Sequence, residues 1–233
     1  MSPESPSVLV FPGAGSFGTE LRCLIAELGP SARLVQYPGR FGRDFGRAAG
    51  CFAEVVRSCV EQAVRHRPDR LVLVGHSFGA YAAWATAGEL ERQGVEVTGL
   101  VVVGADAPAL LTVPEAPTLS HPDAVAYLEG IAPDLLPDEA DEWREIVVDT
   151  AMQDLRLLRE FTTATEFPAV RCPVLAVRGA DDPLASARGL AAWAGATSGG
   201  CSAREFPGGH SELLRTPEFA HWLCETVSHR VAG

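Results

Sequence analysis

Leu71-Val72-Leu73-Val74-Gly75-His76-Ser77-Phe78-Gly79-Ala80-Tyr81-Ala82-Ala83-Trp84 is the stretch from which the fold can be read. Four apolar residues rich in valine and leucine suit a buried strand. Gly75-His76-Ser77-Phe78-Gly79 has the form Gly-x-Ser-x-Gly, and the alanine-rich run from Ala80 reads as a helix. Strand, sharp turn and helix together set a serine at the apex with its hydroxyl exposed. The glycines fit that geometry, since a Cβ at 75 or 79 would collide where incoming strand and outgoing helix nearly touch. A helix N-terminus also offers free N–H groups to negative charge developing beside Ser77.

The flanks repeat the pattern. Val8-Leu9-Val10-Phe11 reads as a first buried strand, followed by the glycine-rich loop Pro12-Gly13-Ala14-Gly15-Ser16-Phe17-Gly18 and a helix from about Thr19. Arg33–Gln36 reads as a second strand, and the apolar residues Phe52, Val55, Val56, Cys59, Val60 and Ala63 recur at helical spacing before Pro68 stops the helix. After the central stretch come strands at Gly99–Val103, Val174–Arg178 and Ala203–Phe206, with helices at Ala185–Trp193 and about Thr216–His229. Alternating strands and helices imply a mainly parallel sheet covered on both faces. Between Thr118 and Phe167 the alternation gives way to helical patterns, one near Ser120 and one from about Pro137 to Phe161. A crossover needs only about a dozen residues, so 118–167 reads as a helical insertion within a single domain spanning 1–233, placed to act as a lid.

Bulk composition narrows the function classes. The 233 residues are 47% hydrophobic and 21% charged, ordinary for a globular protein. A formal net charge of −11 argues against nucleic acid and anionic membrane surfaces. No apolar run reaches the ~18 residues a membrane helix needs, and the start Met1–Ser7 lacks a signal-peptide pattern, so a cytoplasmic protein is expected. The six cysteines show no zinc-ligand spacing and are expected to be reduced, with no metal. Gly13-x-Gly15-x-x-Gly18 has dinucleotide-loop spacing, but the acid expected about twenty residues on is missing from Gln36-Tyr37-Pro38-Gly39-Arg40.

Ligands of parallel sheets bind beyond the carboxyl ends of the strands, and Ser77, Asp106, Asp182 and His210 all fall there. A serine nucleophile needs a base, and the base an orienting carboxylate. His210, after two glycines in the loop beyond the last strand, is the candidate base; His66, His121, His221 and His229 lie in helical or surface-like segments. His76 is expected to point away from the serine. The acid is Asp182, Asp106 or Asp181, with Asp182 favoured by its place in Gly-x-x-Asp-Pro after a strand. Two aimed backbone N–H groups complete an oxyanion hole, one from Phe78 after the nucleophile and one from the small-residue stretch Gly13-Ala14-Gly15 of the first loop. The chain order Ser…Asp…His is that of α/β-hydrolases.

Five segments in this order resemble the type II editing thioesterases of polyketide and nonribosomal peptide biosynthesis, within the α/β-hydrolase superfamily. They are Phe11-Pro12-Gly13-Ala14-Gly15, Gln36-Tyr37-Pro38-Gly39-Arg40, Gly75–Ala80, Gly179-Ala180-Asp181-Asp182-Pro183 and Phe206-Pro207-Gly208-Gly209-His210. The chain departs from the family pattern at Gly13 and Ser16 of the first loop, at Phe78 and at Ser211, which removes no candidate catalytic group. The resemblance implies an enzyme without a cofactor of its own; the oligomeric state is not legible in the sequence, and a monomer is the working expectation. Its substrate would be an acyl group on the phosphopantetheine arm of an acyl or peptidyl carrier protein. It favours Asp182 as the acid, with Asp106 as the alternative. Carrier docking would call for a local basic patch, with Arg40, Arg43 and Arg47, or Arg156 and Arg159, as candidates. Two rival readings fit the same residues: an esterase or acyltransferase acting on small esters or acyl-CoA, and a non-catalytic scaffold.

Overall fold

The computed structural model describes residues 7–65, 70–136, 142–163 and 168–232. The expected helix stop at Pro68, the helix start near Pro137 and the end of the insertion at Phe167 lie outside them. Six strands, β1 (Ser7–Phe11), β2 (Ala32–Leu34), β3 (Leu71–His76), β4 (Val97–Val103), β5 (Val174–Gly179) and β6 (Cys201–Phe206), form one sheet in the order β2-β1-β3-β4-β5-β6. Every pairing between them is parallel. The order reverses at β1, which pairs with β2 on one side and β3 on the other, so the crevice beyond β1 and β3 is the topological switch point.

Period-two alternation sorts the strand residues onto two faces. Leu9, Phe11, Leu71, Leu73, Leu100, Val102, Val174 and Ala176 pack under α2 (Phe52–Val64), α3 (Phe78–Arg92) and α7 (Ala187–Ala192). Val8, Val10, Val72, Val74, Val101, Val103 and Val177 pack on the other face against α1 (Arg22–Leu28) and α8 (Pro217–Ala232). β3 is buried along its whole length, the expected consequence of a central parallel strand with helices on both sides. On α2 the buried residues Phe52, Val55, Cys59, Val60 and Ala63 recur at the spacing read from sequence.

Between β4 and β5 stand α4 (Ala116–Leu119), α5 (His121–Ile131) and α6 (Glu142–Thr162). Ser120 caps α5 by accepting the Asp123 N–H. Ala124 and Leu128 of α5 meet Val147, Val148, Ala151 and Met152 of α6 in a small core of their own. The 21-residue α6 is the longest helix, and Leu157 and Leu158 in its last turns join the core above the sheet. The C-terminal turns of α6 thus join the insertion to the main core, and Asp154 and Gln153 further back along the helix tie it to the loops at Gly15 and Ala49. Among the described residues no helix is long and apolar enough to cross a membrane.

Candidate active site

The turn after β3 has the strain its sequence implies. Ser77 is the non-glycine residue with positive φ, +53°, among the described residues, and its N–H is bonded to Val103 O at 2.8 Å. Such a conformation persists only where surroundings over-determine it, and here they do. A Cβ on Gly75 would sit 2.2 Å from Gly79 O, so the turn does force strand against helix there. Gly79 answers to a different neighbour: its Cβ would strike Phe11 O at 2.2 Å and Pro12 O at 2.6 Å. The second glycine thus makes room for the adjacent strand β1, which the local sequence alone did not suggest.

His210 lies in the loop between β6 and α8, fully buried. Its Nδ1 is 3.0 Å from both carboxylate oxygens of Asp182. Asp182 Oδ1 also accepts the N–H groups of Leu184 at 2.8 Å and Ala185 at 3.2 Å. Burial alone would raise the Asp182 pKa, but the bonds from His210 and those two N–H groups outweigh it and hold the carboxyl below its usual range. An anionic Asp182 facing Nδ1 fixes the imidazole as the Nδ1–H tautomer and leaves Nε2 as the basic nitrogen. Nε2 is buried and has no hydrogen-bond partner among the described residues. At the end of β4, Gly104 has φ +64°, and a Cβ there would come within 3.1 Å of the His210 ring and 3.2 Å of Asp182 Oδ2. That glycine opens the space for the pair, a role no motif flagged.

The other carboxylates are placed elsewhere. Asp106 Oδ1 accepts the Ser186 N–H at 2.8 Å, bracing the residue that caps α7 through the Gly189 N–H. Asp106 therefore does not reach His210. Asp181 is exposed at the surface.

A cavity of about 360 Å³ joins these parts. Gly13, Ala14, His76, Ser77, Phe78 and His210 line its polar end, and Tyr81, Leu111, Val113, Leu128, Ile131 and Leu158 its apolar walls. The insertion covers the carboxyl edge of the sheet, and its cover starts before 118, at Leu111–Pro114. In the first loop the Gly15 N–H donates to Asp154 at 2.8 Å and the Ser16 N–H to Gly13 O at 3.3 Å, so neither is the oxyanion donor; Ala14, which lines the cavity, is the candidate. His76 is closer to this centre than expected. Its Nε2 is 3.0 Å from His210 O, and the two rings lie 4.9 Å apart. Strand alternation sends its side chain off the serine's direction, but the β6–α8 loop comes to meet it.

The arginines considered for docking are largely committed within the chain. Arg40 is buried and paired with Asp154. Arg156 donates to Thr118 O, Arg159 bonds Glu115, and Arg47 lies 3.7 Å from Asp44. Of the two groups, Arg43, Arg47 and Arg156 are exposed, with Arg47 beside Asp44.

Residues 6–230 match the sequence model of the thioesterase domain. The chain belongs to the thioesterase family. It is 32% identical to thioesterase PikA5 of Streptomyces venezuelae over 97% of this chain and 82% of that protein. It is also 32% identical to phenyloxazoline synthase MbtB of Mycobacterium tuberculosis, covering 89% of this chain but 15% of that much longer protein. Among solved structures, the type II thioesterase BorB from the borrelidin biosynthetic cluster superposes with a TM-score of 0.81 at 26% identity, covering 98% of this chain and 94% of that one. This thioesterase has the α/β-hydrolase fold and is a hydrolase acting on thioesters.

Proposed function

We propose that this thioesterase frees acyl groups from the phosphopantetheine arm of acyl or peptidyl carrier proteins, with Ser77, His210 and Asp182 as its catalytic residues. The observation carrying this reading is His210 Nδ1 held on both oxygens of Asp182, with Nε2 unpartnered and the ring lining the same cavity as Ser77. Ser77 Oγ attacks the thioester carbonyl carbon while His210 Nε2 takes its proton. The N–H groups of Ala14 and Phe78 hold the oxyanion. Collapse breaks the C–S bond, and the proton on Nε2 passes to the leaving thiolate. Water, deprotonated by the same Nε2, then attacks the acyl-serine and releases a carboxylic acid and free Ser77. The apolar walls of the cavity suit an acyl chain. The likeness to thioesterases of biosynthetic clusters supports a carrier-borne substrate.

The test is hydrolysis of one acyl group presented on a carrier protein, on coenzyme A and on a short thiol. Carrier-bound substrate should be preferred at least tenfold in kcat/KM; equal rates on all three would overturn the carrier assignment. Ser77→Ala should lose on the order of 10⁴–10⁶ in turnover and Asp182→Asn roughly 10⁴, while Asp106→Asn stays within about tenfold. Normal turnover by Ser77→Ala would remove the catalytic reading itself.

A further inference from the structure

Tyr37-Pro38-Gly39-Arg40 is the most distinctive segment that the chemistry above leaves without a role. Arg40 carries a full charge yet is only 4% exposed. Its guanidinium carbon lies 5.3 Å from the ring centre of Phe17 and 5.1 Å from that of Tyr37. The guanidinium donates to Ser16 O and to Asp154 on α6. The same Asp154 oxygen accepts the Gly15 N–H at 2.8 Å. The Tyr37 hydroxyl donates to Pro12 O at 3.0 Å. Three backbone groups of the first loop, at Pro12, Gly15 and Ser16, are thus held by three side chains from two segments distant in sequence. Ala14, the candidate oxyanion donor, stands between them.

The loop also has little freedom to shift toward α6. A Cβ on Gly15 would meet Ala151 Cβ at 2.8 Å and Val147 O at 3.0 Å. On the far side of the pair, α6 and the 37–49 loop are not closely packed: a second cavity of about 250 Å³ lies between them, lined by Tyr37, Arg40, Asp149 and Asp154. Polar ties span that gap, Arg40 to Asp154 and Gln153 Nε2 to Ala49 O at 3.1 Å. A planar guanidinium serves two acceptors at once, which a lysine cannot reproduce. Burial pushes the Asp154 carboxyl upward, against the pull of Arg40 and Gly15, so its charge depends on the arginine.

We propose that Arg40 and Asp154 are positioning residues for the oxyanion cradle, and that through Asp154 the cradle is set only when α6 of the insertion occupies its place over the loop. The pair touches no reacting atom. It acts by fixing the direction of the Ala14 N–H, and so rests on the assignment of Ala14 to the oxyanion. Closing the insertion and completing the cradle become one event, which links cover of the acyl group to the start of chemistry.

Arg40→Lys, Asp154→Asn and the double variant are compared with the unmodified chain on a soluble short-chain acyl thioester, together with the inhibition constant of an alkylboronic acid. The boronate forms a tetrahedral adduct with an oxygen where the oxyanion would lie. Each single variant should lower kcat about 10–100-fold with KM changed less than threefold, and weaken boronate binding in parallel. The double variant should lose no more than the worse single, since both act through one loop. A merely structural pair would lower the melting temperature yet leave kcat and boronate affinity of the folded protein within threefold, which overturns the proposal. Multiplying losses in the double variant would overturn it as well. Should Arg40→Lys fail to fold, Tyr37→Phe removes only the hydroxyl on Pro12 O and should cost kcat about 3–10-fold at constant KM; no loss there would overturn the proposal. Active Ser77→Ala signals instead that the underlying catalytic reading is wrong, a result these variants cannot mimic.

Discussion

His76 shows how one buried ring can tie stability to pH. It is 6% exposed, its Nε2–H donates to His210 O, and its Nδ1 has no hydrogen-bond partner among the described residues. Burial, and then the neighbouring His210, lower its pKa to about 3, against the opposing effects of that hydrogen bond and Asp182. The folded ring is neutral across the working range, whereas a free imidazole protonates near 6.5. Between those values the unfolded chain binds a proton that the folded chain refuses. Stability therefore falls as pH drops below 6.5, by about 2 kcal/mol at pH 5. Urea midpoints at pH 7 and pH 5 test this. His76→Gln should shrink the loss between the two by about that amount, and an unchanged difference would disprove the account. At this scale the residue types at the site were legible, since Ser77, His210 and Asp182 each sit in a turn that follows a strand. The contact between His76 and His210 O was not, because it is made between residues 134 apart.

At the scale of the element, the insertion is both a small core and a wall. Leu128 is 1% exposed, packs in the α5–α6 cluster and lines the cavity. Truncation to alanine should cost about 2–4 kcal/mol, less if the helices settle into the gap. The same change enlarges the chamber, so kcat/KM over a series of acyl thioesters should shift toward longer chains. An unaltered chain-length profile would show that α5 does not bound the acyl group. The helical spacing of Trp143, Ile146, Val147, Met152, Leu155, Leu158 and Phe161 announced α6 in the sequence, and the buried stripe it forms also takes in Val148 and Ala151. Asp154 lies on that buried stripe, three residues after Ala151 and four before Leu158. A carboxylate on an apolar face was the signal for a buried partner, and periodicity could not say that the partner is Arg40. In the sequence Arg40 is a candidate for a surface docking patch. Phe17, Tyr37, Ser16 O and Asp154 of α6 together take its guanidinium out of water.

The whole molecule separates support from chemistry by a sheet. The cavity, α5, α6 and α3 lie on the rim and one face, while α1 and α8 cover the other. Leu223 of α8 is fully buried against that second face. Leu223→Ala should lower unfolding free energy by about 2–5 kcal/mol and leave kcat/KM of the folded protein at 25 °C within twofold. A larger loss of activity would mean that the far face transmits strain to the site. By itself the sequence determined the parallel sheet, the serine turn and the gathering of Ser77, Asp106, Asp182 and His210 at one rim, because strand alternation, helical period and glycine turns are local patterns that survive in any tertiary setting. The tertiary structure alone decided which acid meets the imidazole and where Arg40 goes. β4 and β5 are neighbours and end at the same edge, so Asp106 and Asp182 are equally near His210 in topology. They part company through side-chain direction, Asp106 toward Ser186 and Asp182 toward Nδ1. Arg40 and Asp154 meet across 114 residues of chain. Such pairings follow from how packed layers approach one another, which no spacing within a single segment records.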